Sequence, residues 1–233
     1  MDLAAAVSTE RRSRQRSETA TQIDLDTEKR VAAEAAAELV EDGMVVGLGT
    51  GSTVYCFLQA LAARGLNIRC VATSPRTEEL ARALGLAIEP FDHLDRLDIA
   101  VDGADQIAPD RWLVKGRGNA LTREKIVAAA ADRFVVIGSS DKVVERLTPP
   151  VPLEILAFGI AATLRALGHA KLRDAPPSPD GGVIADYLGS VADPAAVAAR
   201  LAATPGVVEH GLFPPELVAE VLVGRGSRVE RRR

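Results

Sequence analysis

What most restricts the fold of this chain is a series of short apolar runs that stop abruptly at glycines, hydroxyls or carboxylates. Residues 44–48 (MVVGL), 67–72, 97–101 and 134–137 are too short for helices and mostly aliphatic, as strands buried on both faces are. A shorter strand is expected at 87–88. Residues 54–64, 75–84 and 122–131 lie between or beside these runs with helical spacing, and Pro75 suits a helix start. A helix also precedes the first strand. Asp26 or Thr27 can cap it, and Val31, Ala35 and Leu39 form its apolar stripe. This alternation predicts a doubly wound, mainly parallel, Rossmann-like α/β sheet. Aromatic residues make up only 3% of a chain that is 47% apolar, so its core has to be Val, Leu, Ile and Ala.

Pro149, Pro150 and Pro152 mark a change of rhythm. Beyond them, strands are expected at 153–157, 170–173, 183–188 and 207–210, with helices at 160–167 and about 195–203. That β-α-β-β-α-β order predicts a second, smaller α+β ferredoxin-like domain. Residues 217–223 are expected to return to the first sheet. The chain therefore divides into an α/β domain of residues 23–148 plus 212–226 and a small domain of 149–211. Residues 1–22 read as a disordered extension and not a signal peptide, since its arginines follow the Ala-rich piece, the reverse of a signal peptide's order. Residues 227–233 read as a solvated tail.

The stretch 102–125, DGADQIAPDRWLVKGRGNALTREK, concentrates the chemistry. Asp102 directly follows a strand, where side chains face the ligand crevice of an α/β sheet. Asp105, Lys115 in a glycine-rich turn, and Glu124 just inside a helix complete an acid/base set suited to proton transfer on a small polar substrate. The earlier turn GLGTGST (residues 47–53) resembles neither a dinucleotide fingerprint nor a P-loop. Its sixth position is Ser52, the next strand ends in Thr73-Ser74 with no acid for a ribose, and GK[ST] is missing. Backbone N–H groups at a helix start, with the hydroxyls of Thr50, Ser52 and Thr53, suit a phosphate monoester instead.

Other functions are disfavoured. A net charge of −4 and a pI near 5.5 give no basic face for nucleic acid. No apolar run approaches the roughly 20 residues of a membrane span. Cys56 and Cys70 lack CxxC spacing and read as buried thiols of a cytoplasmic protein. His93, His169 and His210 are scattered, so no metal site is expected. Trp112 is expected to pack under the Lys115 loop.

Taken together, GLGTGST, DGAD, KGRGNALTREK and the later GVVEHGLF resemble the type A family of ribose-5-phosphate isomerases, in the family's order, over roughly residues 29–226. The resemblance implies interconversion of ribose 5-phosphate and ribulose 5-phosphate with no metal or organic cofactor, by a homodimer or homotetramer. It implies that Glu124 is the general base and that Asp102, Asp105 and Lys115 line the sugar site with Gly103, Ala104, Gly116, Arg117 and Gly118. It also implies that Thr50, Gly51, Ser52, Thr53 and Lys142 meet the phosphate end, and it matches Lys29 to a helix-borne lysine near the phosphate. The chain departs from the family pattern at Gln106, at Arg117 and Asn119 within a commonly all-glycine run, and at residues 179–182, PDGG. Arg117 bears on the shape of the sugar site.

The chemistry moves a proton between C1 and C2 through an enediolate. Glu124 in a helix's first turn is expected to be kept ionised by the helix dipole and local N–H groups. Lys115 and the N–H groups of residues 116–118 would meet the enediolate oxygen. Asp102 or Asp105 would open the ring or relay the hydroxyl proton. Arg123 and Lys125 point elsewhere on the helix and are assigned solvent or structural roles. The alternatives are the same chemistry on another sugar phosphate, a CoA-transferase-like enzyme with a glutamate nucleophile, and a non-catalytic sugar-phosphate sensor.

Overall fold

The computed structural model describes residues 24–233. The extension expected over residues 1–22 lies outside the described residues. A helix over residues 24–37 (α1) leads into β1 (Val45–Leu48), α2 (Ser52–Ala63), β2 (Arg69–Ala72), α3 (Pro75–Ala83) and β3 (Ala87–Ile88). Next come β4 (Ile99–Gly103), the two-residue strands β5 (Gln106–Ile107) and β6 (Leu113–Val114), α4 (Leu121–Ala130) and β7 (Phe134–Ser139). β8 (Val151–Ile155), α5 (Ile160–Leu167), β9 (Ala170–Leu172), β10 (Val183–Tyr187), α6 (Pro194–Ala202) and β11 (Val207–His210) form the smaller unit. β12 (Leu212–Phe213), β13 (Val218–Arg225) and β14 (Arg228–Arg232) complete the chain.

The main sheet runs β14-β13-β7-β4-β1-β2-β3, parallel except for β14. Strand order reverses at the β1/β4 junction, the switch point at which ligand crevices open in such sheets. Alternate residues of the same strands feed two cores, as the period of two requires. Val46, Leu48, Ile99, Val101, Val135 and Ile137 pack with α1 and α2. Val45, Ala100, Phe134 and Val136 pack with Val127 and Ala128 of α4 on the opposite face. The smaller unit has its own core and a sheet ordered β11-β8-β10-β9, antiparallel throughout, as a ferredoxin-like β-α-β-β-α-β connection gives. β12, β6 and β5 form a third, antiparallel sheet beside both. No helix of the described residues is long and apolar enough to cross a membrane.

Two local expectations are corrected. The face of α1 that is fully buried carries Ala32, Ala33, Ala36 and Ala37, not Val31, Ala35 and Leu39, which are only partly covered. Alanines let the helix lie close to the sheet; a Cβ on Gly224 of β13 would come within 2.0 Å of the Glu28 carbonyl oxygen. The arginine-rich C-terminus is not a solvated tail but the edge strand β14, antiparallel to β13. Its last three arginines have acidic partners: buried Glu220 of β13 lies 3.5 Å from Arg231 and 3.7 Å from Arg233, and Glu230 pairs with Arg232 as well as Arg225. Trp112, half-buried, packs against the core of the smaller unit.

Candidate active site

A cavity of about 270 Å3 opens at the carboxyl ends of β1 and β4. Thr50, Gly51, Ser52 and Thr53 wall one end. Gly103, Ala104 and Asp105 follow β4, and Lys115, Gly116, Arg117 and Gly118 follow β6. Glu124 enters from α4 and Lys142 from the 3-10 turn after β7; Val54 joins them, a residue the motifs do not single out. Segments from residue 50 to residue 142 thus converge on the switch point.

The β1–α2 turn fits against Asp102. A Cβ on Gly49 would lie 2.0 Å from the Asp102 Cγ, so only glycine permits the approach. Thr50 N and Gly103 N donate to Asp102 Oδ1 at 3.0 and 2.7 Å. Gly51, with φ of 127°, turns the chain into α2, whose first N–H groups carry no side-chain cap and no acid in the first turn. That helix start is therefore left for an anion. The Thr50 hydroxyl is turned away from it, 2.9 Å from both Thr73 Oγ1 and Ser74 Oγ. Ser52 and Thr53 remain as the hydroxyl residues beside that helix start, lining the same cavity as Lys142.

Asp102, Lys115 and Glu124 form a buried triad, each only 3% exposed. Leu121, Glu124, Val127 and Ala128 make the buried stripe of α4, so helical spacing itself carries the carboxylate inward. Lys115 Nζ lies 2.9 Å from Asp102 Oδ2 and 3.1 Å from Glu124 Oε2, and donates to the Gly103 carbonyl at 2.6 Å. The ring of Phe213 lies 5.3 Å from the same ammonium. One cation between two carboxylates leaves a net negative charge in a dry site. Burial pushes Glu124 up to about 7, against the pull of Lys115, and the neighbouring Asp102 charge adds to the rise. Burial raises Asp102 as well, with Lys115 and the two backbone N–H donors opposing it. Asp102 holds those donors and Glu124 does not, so Glu124 is the more readily protonated of the two. The expectation that Glu124 is simply kept ionised is thus corrected: desolvation, with the nearby Asp102 charge, outweighs the attraction of Lys115. A carboxyl titrating near neutrality can both take and return a proton.

Asp105 lines the cavity and accepts from Arg117 N at 3.0 Å, and the mostly exposed Arg117 guanidinium stands 3.6 Å away. Asp102 lies beneath Lys115 and outside the lining. Lys29 also lies outside it, its ammonium 2.9 Å from Asp26 one turn back on α1. Its neighbour Glu28 is the residue of α1 that reaches the site's frame. Buried, it accepts from Ser140 N at 2.8 Å and Gly226 N at 3.0 Å, bracing the Lys142 turn against the β13–β14 turn. Arg123 and Lys125 take structural roles, Arg123 forking onto Asp180 and Lys125 reaching Glu209 and the His210 carbonyl.

A larger cleft of about 590 Å3 lies on the other side of α4, between Thr122, Arg123 and Ile126 and the acids Glu78, Glu89 and Asp92. It lacks a lysine, and its one cation, Arg123, is forked onto Asp180, so the smaller cavity is the one equipped for an anionic substrate. Among the described residues, no three His, Cys, Asp or Glu side chains are gathered as a metal would require.

The comparisons with known proteins agree with this geometry. Residues 69–228 match the family model described as ribose 5-phosphate isomerase A (phosphoriboisomerase A). Ribose-5-phosphate isomerase A of Caulobacter sp. strain K31 is 48% identical over 219 residues, covering 88% of this chain and 96% of that protein. The structure of ribose 5-phosphate isomerase A from Methanocaldococcus jannaschii superposes with a TM-score of 0.83 at 33% identity, over 88% of this chain and 97% of that one. A D-ribose-5-phosphate isomerase solved in complex with phospho-erythronic acid gives a TM-score of 0.84 at 35% identity, over 90% and 99% of the two chains. With motif order, switch-point cavity and near full-length similarity in agreement, the chain belongs to the ribose 5-phosphate isomerase A family.

Proposed function

We propose that this cavity interconverts D-ribose 5-phosphate and D-ribulose 5-phosphate, the aldose–ketose isomerisation of the non-oxidative pentose phosphate pathway, with Glu124 as the base. The observation that carries the reading is the buried Asp102–Lys115–Glu124 triad, whose Lys115 and Glu124 line the same cavity of about 270 Å3 as the uncapped start of α2. The phosphate takes the α2 start, with Ser52, Thr53 and Lys142. This leaves C1 and C2 at Glu124. Glu124 removes the C2 proton of the open aldose while O1 gains a proton, giving an enediol or its anion. Return of the proton to C1 and loss of the O2 proton give the ketose. Lys115 and the N–H groups at residues 116–118 hold the negative oxygen. Asp105, which lines the cavity, relays the hydroxyl proton or opens the ring, while Asp102 keeps Lys115 in place.

The test is ketose formation from ribose 5-phosphate by the purified protein in EDTA, alongside a panel of other pentose and hexose phosphates. Absence of turnover on all of them would refute the isomerase reading. Preference for a different sugar would move the substrate and keep the chemistry. Phospho-erythronic acid, whose planar carboxylate resembles an enediolate, is expected to inhibit competitively.

Self-association into a homodimer or homotetramer is supported by an apolar patch: Leu156, Ile126 and Val208 are exposed, and Phe158 is 92% exposed. Sedimentation as a monomer at micromolar concentration would refute it. A cytoplasmic location is supported by the unpaired thiols of Cys56 and Cys70.

A further inference from the structure

We propose that Arg173, in the smaller unit, is a positioning residue for the isomerisation, fixing the peptide plane between Gly116 and Arg117 and with it the carboxylate of Asp105. The proposal rests on the isomerase reading above. Arg173 directly follows β9 and is continued onto β10 by its backbone, Arg173 N donating to the Ile184 carbonyl at 3.0 Å. Its guanidinium has two sets of partners. Nε and Nη2 fork onto Asp186 of β10, the Nε bond to Oδ2 measuring 3.1 Å. Nη1 points the other way, donating to the Gly116 carbonyl at 3.2 Å and to Asn119 Oδ1 at 3.0 Å. A planar fork held along one edge by a carboxylate has few other orientations, so Asp186 aims the free edge at the loop.

That loop, residues 115–119, needs an external hold. Gly116 and Asn119 both have left-handed backbone, with φ of 111° and 62°, and Asn119 is not a glycine. Within the loop, Asn119 N reaches the Gly116 carbonyl at 3.2 Å. The consequence for the site follows from the planarity of one amide. The carbonyl of the 116–117 peptide accepts from Arg173, and the N–H of the same peptide donates to Asp105 Oδ2 at 3.0 Å. A flip of that plane would point a carbonyl at the Asp105 carboxylate and remove an N–H from the cavity wall. Arg173 blocks the flip from outside the cavity, and one residue upstream lies Lys115 of the triad.

The test compares the wild type with Arg173→Met, which keeps length and loses every donor, and with Asn119→Gly, which keeps the left-handed backbone and loses the acceptor. For Arg173→Met, kcat is expected to fall roughly 10- to 100-fold, as a misplaced catalytic group gives, with KM within about threefold. Asn119→Gly should show a smaller fall of the same kind. The double variant should lie within about threefold of Arg173→Met alone, since the two side chains act through one contact. Hydrogen exchange at residues 116–119 should quicken at least about tenfold in Arg173→Met, while α6 is unchanged. Wild-type kcat in Arg173→Met, losses that multiply in the double variant, or unchanged exchange in the loop would each overturn the proposal. Should Arg173→Met not fold, Arg173→Lys keeps the charge for Asp186 and loses the fork, and a wild-type kcat there overturns it equally. The exchange measurement needs no turnover, so it judges Arg173 even if the wild type proves inactive on ribose 5-phosphate, which would refute the isomerase reading instead.

Discussion

Replacing Glu124 with Gln should remove most of the turnover and, above neutrality, make the protein more stable. Gln has the same size and cannot ionise. Burial lifts the Glu124 carboxyl from 4.5 to about 7, with Lys115 attraction and Asp102 repulsion already included in that balance. The difference corresponds to roughly 3 kcal/mol at 1.36 kcal/mol per pKa unit. A group whose pKa is raised by folding favours the fold while protonated. Its contribution is complete below pH 4.5 and is lost as pH rises through about 7. The wild type therefore bears this cost at pH 8.5 and the variant does not. With about 2–4 °C per kcal/mol for a chain of this size, the variant should melt roughly 6–12 °C higher at pH 8.5 and at nearly the same temperature at pH 4.5. Paired thermal melts across that range read the difference directly. In the same variant kcat should fall by about 10³ or more, some 4 kcal/mol of barrier, with substrate binding largely kept. For the wild type, kcat/KM should decline below about pH 7 as the base takes up a proton. A stability gap that does not change with pH, or a less stable variant at pH 8.5, would refute the desolvation argument. Unchanged turnover would remove Glu124 from the mechanism.

Two further outcomes test other parts of the molecule. Lys142→Ala should raise KM about tenfold and leave kcat within about threefold, because a charged hydrogen bond to phosphate is made equally in ground and transition states; a large fall in kcat at unchanged KM argues against a phosphate contact. Deleting residues 227–233 removes β14 and uncovers Glu220, and should lower the melting temperature by about 5 °C or more; an unaltered melt would mean that the strand contributes nothing.

Much of this was legible in the residues. β3, α5 and β11 have the boundaries that apolar periodicity gives, and the returning strand after the smaller unit is β13. The cavity collects residues 50–53, 103–105 and 115–118, though not Asp102, because β-strand ends and helix starts oblige these turns to face the crevice. What local pattern could not supply depends on distant partners. β14 looks like a charged tail until Glu220 is placed beside it. Glu28 reads as one more helix-surface acid, although its acceptors' donors lie at residues 140 and 226. Arg173 reads as a strand end, and its role needs Gly116 and Asp186 brought to either side. The Glu124 titration is illegible in sequence for a related reason. Proximity to a helix start is visible in sequence, but the depth of burial that overrides it comes from packing.

The return of β13 to the main sheet has a consequence for biosynthesis. β7 is complete at residue 139, but the neighbour that covers its outer edge begins at residue 218. At typical translation speeds of 5–20 residues per second, a ribosome takes on the order of ten seconds to cross that interval. Through it, a growing chain exposes an aliphatic strand edge that invites mispairing. The brace from Glu28 to Gly226 is available only once residue 226 emerges, so α1 and the Lys142 turn are locked late. A nascent chain stopped between residue 213 and the β13–β14 hairpin would carry every motif of the isomerase and still lack a finished grip on phosphate.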